Sequence, residues 1–284
     1  HSKTWRVYLR HFPFAFRIAA LSLLILVLAR PQSTSSWENV STEGIDIILA
    51  LDISGSMLAE DFKPNRLEAS IDVAMEFIAG RPDDRMGLVV FSGESFTQCP
   101  LTTDHAVLMN LFQDIKSGMI EDGTAIGLGL ANAVSRLEES SAESKVVILL
   151  TDGVNNQGEI APLTAAEIAK TFGVRVYTVG VGTLGTAPYP VRTAFGVQYQ
   201  NVPVQIDEDV LREIARMTDG QYFRATNNAK LKDIYNEIDQ LEKSKIEVRE
   251  ISRKTEEFFW WALLAGLFLI AELLLRLTIF RSNP

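Results

Sequence analysis

The stretch Ile45-Asp46-Ile47-Ile48-Leu49-Ala50-Leu51-Asp52-Ile53-Ser54-Gly55-Ser56 decides the fold. Residues 45–51 form a nearly continuous, β-branched apolar run, which reads as a strand buried on both faces at the centre of a parallel sheet. The run ends in Asp, Ser, Gly and Ser, residues of turns and of oxygen ligation. Working outward, Arg66 to Ala79 sets Leu67, Ile71, Ala74, Met75 and Ile78 on one helical stripe. Strands are expected at 86–91, 146–150, 174–181 and 222–224, with a short edge strand at 95–100. Helices are expected at 105–115, 125–137, 164–172, 208–217 and 231–241. Such alternation implies right-handed crossovers and an α/β, doubly wound, mostly parallel sheet flanked by helices. Ligands of such sheets sit beyond the carboxyl ends of the strands. Residues 183–206, rich in Gly, Pro and Gln, read as an excursion from this pattern.

Hydrophobic residues make up 47% of the 284-residue chain and mean hydropathy is +0.10, high for a soluble protein. Two apolar segments, 12–29 and 258–275, account for the excess. Each would be a helix of about 27 Å, close to the minimum for a bilayer span. Lys3, Arg6 and Arg10 precede the first. Arg30-Pro31 stands where a signal peptide would need small residues, so a retained anchor is expected. These basic residues place the N-terminus in the cytoplasm and the middle of the chain outside it. Glu272 and Arg276, four residues apart, can neutralise each other, or one can pair with another membrane helix.

The resulting organisation is a basic segment and membrane helix over 1–31, a linker over 32–44, and a domain over 45–243. A juxtamembrane link over 244–256, a second membrane helix over 257–280 and a tail over 281–284 follow. Residues 1–40 carry a net +4 and 245–284 a net +1, leaving −14 for residues 41–244 out of a total of −9. No basic stripe is present, which excludes a nucleic-acid ligand. One cysteine, Cys99, excludes an internal disulfide and reads as a buried apolar residue. His1, His11 and His105 are too scattered to form a metal site.

Two strands end in oxygen ligands: Asp52-Ile53-Ser54-Gly55-Ser56 and Thr151-Asp152-Gly153. A third loop, Glu121-Asp122-Gly123-Thr124, leads into the helix near Ala125. Converging on one sheet edge, they would offer only carboxylates and hydroxyls, a donor set for a hard cation such as Mg²⁺. Asp and Ser are also ordinary turn and N-cap residues, so the first string alone would say little. Thr102 and Thr103 compete with Thr124, but they and Asp104 read as capping residues for the helix at 105. Gly127 and Gly129 lie inside a helical pattern, not in a phosphate-cradling turn.

The Asp-x-Ser-x-Ser string at 52–56 with Thr124 and Asp152 resembles the metal-ion-dependent adhesion site of von Willebrand factor type A domains, over about residues 45–240. That resemblance implies a metal held by Ser54, Ser56 and Thr124 directly and by Asp52 and Asp152 mostly through waters. The sixth position would go to a partner's carboxylate. The basic segment and first span, the string from Ile206 through Asp219-Gly220-Gln221-Tyr222-Phe223-Arg224, and the C-terminal span resemble the Bat family of bacterial membrane proteins. This second resemblance implies the bacterial cytoplasmic membrane with the domain on its outer side, other Bat-like membrane subunits, the lipid bilayer, and a MoxR-type AAA+ ATPase as partners. Members often carry one more N-terminal span than this sequence shows, which bears on topology and not on the metal site.

A binding module is therefore expected rather than an enzyme, with Mg²⁺, Mn²⁺ or Ca²⁺ bridging to an Asp or Glu of a protein partner. The alternatives are an aspartyl-phosphate phosphohydrolase and a membrane scaffold whose metal only braces the loops. The phosphohydrolase needs a second carboxylate two residues after Asp52 as general acid. Position 54 is Ser.

Overall fold

The structure is a computed structural model that describes residues 12–29, 32–33, 44–193, 196–251, 255–256 and 258–278. The basic N-terminal residues, His1, His11, most of the 32–44 linker and the C-terminal tail lie outside the described residues. The chain divides into two compact units, one of His1–Val40 with Glu247–Pro284 and one of Ser41–Ile246.

In the larger unit a six-stranded sheet is built from β2 (Asp46–Asp52), β3 (Arg85–Phe91), β4 (Ser95–Thr102), β5 (Lys145–Thr151), β6 (Val174–Val181) and β9 (Tyr222–Ala225). Their order is β4-β3-β2-β5-β6-β9. All neighbours pair in parallel except edge strand β4, which runs antiparallel to β3. β2 is buried along its whole length, as its apolar run requires. Alternate residues serve opposite faces. Ile47, Leu49 and Leu51 pack with α2 (Arg66–Ala79), α3 (His105–Gln113) and the start of α7 (Asn228–Ile251). Ile48 and Ala50 pack with α4 (Ile126–Leu137), α5 (Pro162–Thr171) and α6 (Glu208–Met217). Two cores on one sheet make the doubly wound arrangement, and Cys99 is a buried member of the first.

Helix boundaries follow local chemistry. Asn65 caps α2 by accepting from Glu68 N, and Glu68 sits in the first turn. Asp104 caps α3 by accepting from Val107 N at 3.1 Å, while Thr102 Oγ1 accepts from Asp104 N at 2.9 Å. The Gly127/Gly129 pair is explained by close packing. A Cβ at 127 would lie 2.0 Å from the Ile160 carbonyl oxygen, and one at 129 would lie 2.6 Å from the Phe91 ring.

In this unit the hairpin at 186–203 and the end of the last helix differ from the sequence expectation. Residues 183–206 fold back as an antiparallel hairpin, β7 (Thr186–Thr193) with β8 (Gly196–Pro203), paired from Thr186↔Pro203 to Thr193↔Gly196. Their Tyr, Val, Thr and Gln residues suit a strand, but three prolines and the flanking glycines hid the alternation. The last helix of this unit also runs on well past 241, to Ile251, because the Lys- and Glu-rich residues that follow are good helix formers.

The smaller unit contains α1 (Phe12–Leu28), β1 (Gln32–Ser33) paired antiparallel with β10 (Thr255–Glu256), and α8 (Phe258–Thr278). Among the described residues no helix is long and apolar enough to cross a membrane. The helical residues of α1 number 17, about 26 Å. α1 packs on α8, with Phe16 and Phe268 rings 5.6 Å apart. Glu272 on α8 is buried and accepts from Arg17 Nη2 at 2.6 Å. Pairing with the other apolar helix is thus realised for Glu272; the side chain of Arg276 lies outside the described residues.

Candidate metal centre

β2 is where chain direction switches: the chain leaves it towards β3 on one side, while β5 lies on the other. The crevice at the carboxyl ends of β2 and β5 is therefore the expected ligand site of an open sheet. Asp52 is the last residue of β2 and is fully buried. Its Oδ1 accepts from Ser54 N at 2.9 Å, bending the chain, and its Oδ2 accepts from Thr151 Oγ1 of β5 at 2.6 Å. The bend leads into a single 3₁₀ turn, Gly55–Leu58, that lifts Ser56 to the surface.

The hydroxyls continue this chain of contacts. Ser54 Oγ lies 3.0 Å from Ser56 Oγ, and Ser56 Oγ donates to Asp152 Oδ1 at 2.6 Å. Thr124 is buried, and its N–H donates to Asn156 Oδ1 at 2.9 Å. A Cβ on Gly153 would stand 3.2 Å from Thr124 Oγ1, so the third loop packs directly against the residue after Asp152. Asp52, Ser54, Ser56, Thr124 and Asp152 are thus brought together as the sequence led one to expect. Asp122, from the same third loop, accepts from Gly55 N at 2.9 Å.

Sequence reasoning missed the ionic support beneath this group. Arg66, the first residue of α2, is 3% exposed. Its Nη1 donates to Asp152 Oδ2 at 2.6 Å, while Nε and Nη2 grip both oxygens of Asp61 at 2.7 Å. Asp61 Oδ2 also accepts from Thr183 N at 2.8 Å. The only signal available was an arginine on the edge of an apolar helical stripe. Burial alone would raise Asp61, but Arg66 and Thr183 outweigh it and hold this carboxyl below its ordinary value.

The two candidate ligand carboxylates behave differently. Burial and the nearby charge of Asp152 push Asp52 up to about 7, against hydrogen bonds from Ser54 and Thr151. Burial also raises Asp152, although Arg66 and Ser56 oppose it. Negative charge concentrated out of water with one guanidinium nearby is an arrangement that a further cation relieves. The donors fit one: oxygen atoms only, two carboxylates and three hydroxyls. Among the described residues no group of three or more His, Cys, Asp or Glu could hold a metal ion. A cation here would therefore lean on hydroxyls and waters rather than on a carboxylate cage. Beside the group opens a cavity of about 240 Å³, lined by Ser56, Thr124, Asp152, Asn156, Tyr189 and the end of β8.

Fold and site together define a doubly wound domain with hydroxyl- and carboxylate-bearing loops at its topological switch point. The chain matches the von Willebrand factor type A domain over residues 46–237, and it belongs to that family. Among solved structures it is similar to BatB from Bacteroides thetaiotaomicron, described as a conserved hypothetical protein. The identity is 33% with a TM-score of 0.61, covering 70% of this chain and 100% of that one. An aerotolerance-related membrane protein from Bacteroides fragilis is 30% identical with a TM-score of 0.60, covering 69% and 98%. Proximal thread matrix protein 1 from the mussel byssus, in a structure whose adhesion-site motif is occupied by zinc, is 26% identical. Its TM-score is 0.54, with 70% of this chain and 46% of that one covered.

Proposed function

We propose that the domain holds a divalent cation with Ser54, Ser56, Thr124, Asp52 and Asp152 and uses it to grip a carboxylate of a partner protein. The observation that carries this reading is the convergence of three loops at one cavity: the oxygens of the first and second loops are joined by hydrogen bonds, and Thr124 of the third lines the same cavity. Mg²⁺ suits the donors, as do Mn²⁺ and Ca²⁺; the zinc in the mussel relative's motif supports a divalent ion without choosing among them. The ion supplies positive charge where the domain is otherwise acidic. Arg66 and Asp61 act as positioning residues that fix Asp152. Binding rather than catalysis is favoured because Ser54 stands where an aspartyl-phosphate enzyme needs its general acid.

We further infer that α1 and α8, although neither is long and apolar enough over its described residues to cross a bilayer, attach the domain to the bacterial cytoplasmic membrane. The outward faces of these helices are apolar, with Ile25 68%, Leu28 81%, Leu273 60% and Leu277 60% exposed, more than water tolerates without a cover. The B. fragilis neighbour is a membrane protein. In such a setting Bat-like subunits, and a MoxR-type ATPase at the cytoplasmic ends of the chain, are the partners to look for. The test is association of the detergent-solubilised full chain with membrane partners. Mg²⁺-dependent association should disappear in Ser54→Ala/Ser56→Ala. Equal association in EDTA and in Mg²⁺ would overturn the proposal, and phosphatase turnover lost in Asp52→Asn would favour an enzyme instead.

A further inference from the structure

The hairpin β7–β8 leaves the sheet at its carboxyl end and, although Ala187 is buried, it contributes no residue to the two hydrophobic clusters on the sheet. Its surface residues include Val197 at 55% and Tyr199 at 60% exposure. It is nevertheless tied to the candidate metal loop. The Pro188 carbonyl accepts from Glu60 N at 2.8 Å, and Tyr199 Oη donates to Glu60 Oε1 at 3.1 Å. The Tyr189 hydroxyl lies 3.5 Å from where a Gly55 side chain would begin. At its root, Thr183 reaches Asp61 and through it Arg66 and Asp152. The strand end Val202-Pro203-Val204 thereby becomes one wall of the cavity whose other wall is Ser56, Thr124 and Asp152.

We propose that this wall makes the site specific for a single acidic residue flanked by an aliphatic one, presented on an exposed segment of the partner protein. The inference rests on the carboxylate-gripping reading above and adds what stands next to the carboxylate. Size is the first argument. A cavity of about 240 Å³ is below the roughly 300 Å³ at which small-molecule pockets begin. It would hold about eight waters at ~30 Å³ each, and a carboxylate group displaces only a few of them. Room for a second, short side chain is left over. The chemistry of the hairpin side is the second argument: beside the polar Arg66, Asn156, Tyr189 and Gln205, the lining residues Ala59, Val154, Val202, Pro203 and Val204 offer nothing to an ion or a carboxylate, but gain from covering by an aliphatic group.

Charge sets the third constraint. Asp122, which accepts from Gly55 N, and Glu60, which accepts from Tyr199 Oη, stand beside the candidate metal loop, and residues 41–244 are acidic overall. A run of acids on the partner would be repelled outside the single position that the cation neutralises. A lone Asp or Glu beside Leu, Ile or Val meets all three conditions.

The experiment is selection of random displayed dodecapeptides on the full chain in detergent micelles with Mg²⁺, eluted by EDTA. Eluted peptides should carry one acid next to an aliphatic residue and few further acids. One such peptide and its analogue with glycine in the aliphatic position should differ in affinity roughly tenfold on the wild type, the equivalent of about two methylenes buried against this half-open wall. In Val202→Ser/Val204→Ser the two should bind about equally, and in Val202→Leu/Val204→Leu, which keeps the wall apolar, the gap should persist. Acid-bearing peptides with no aliphatic preference, or a gap unchanged in the serine variant, would overturn this inference and leave the metal reading standing. Failure of EDTA to release any peptide class would overturn the metal reading, and this inference with it.

Discussion

Replacing Arg66 by Met tests the support of the site through a single side chain. The guanidinium is 3% exposed, makes a two-pronged contact with Asp61 at 2.7 Å and a third bond to Asp152 at 2.6 Å. Methionine fills much of the space but strands two carboxylates, one of them fully buried. Removing one partner of a buried ion pair costs about 3–5 kcal/mol because the remaining charge is uncompensated. At roughly 2–4 °C per kcal/mol for a domain of this size, the metal-free variant should melt roughly 6–20 °C below the wild type. A divalent cation bound beside Asp152 takes over part of the lost compensation, so saturating Mg²⁺ should recover more stability in the variant than it adds to the wild type. Thermal melts of both proteins, with EDTA and with Mg²⁺, measure all four values. A loss of ~2 °C or less, or a Mg²⁺ increment no larger in the variant, would refute the view that Arg66 balances the charge of the site.

Three further outcomes are expected. Ser54→Ala/Ser56→Ala should fold but lose the Mg²⁺-induced rise in melting temperature, which at a hundred times Kd amounts to about 2.7 kcal/mol in the wild type; an undiminished rise would exclude these hydroxyls as ligands. The Asp52 carboxyl sits at about 7 in the metal-free fold, so the folded state favours its proton. That contribution is complete below the ordinary carboxylate value and is lost as pH rises through about 7. Metal-free stability should therefore decline towards pH 8 while the Mg²⁺ increment grows; melts across pH 5 to 8 in EDTA and in Mg²⁺ would show it, and a pH-independent increment would contradict it. Gly127→Ala forces a methyl group to within 2.0 Å of the Ile160 carbonyl, and overpacking of this kind costs about 1–3 kcal/mol; chemical denaturation should show that loss without a change in peptide selection.

Much of the fold could be read from pattern because β2 and β5 are buried on both faces and so carry unbroken apolar runs. The helices α2 and α4 bury one stripe and so carry a period of 3.6. The convergence of Asp52, Ser54, Ser56, Thr124 and Asp152 was legible for a related reason: each stands at a strand end or helix start, and a parallel sheet gathers such positions on one edge. What was hidden depended on tertiary placement. Nothing near residue 66 distinguishes its arginine from a surface one until α2 packs beneath Asp152. The β7–β8 hairpin escaped notice because β8 faces solvent and lacks the apolar alternation that a core imposes. The Gly127/Gly129 pair could be read only as lying inside a helical pattern, because its cause is the approach of Phe91 and Ile160 from other parts of the chain. Likewise, the partner of Glu272 lies 255 positions away at Arg17.

A crystal structure of the chain grown with Mn²⁺, phased on the anomalous signal of that ion, would show whether the three loops hold a cation. One strong peak is expected among Ser54, Ser56 and Thr124, with hydroxyl oxygens about 2 Å from it and Asp52 and Asp152 reaching it chiefly through water. A peak elsewhere, or none at saturating Mn²⁺, would contradict the proposed metal site.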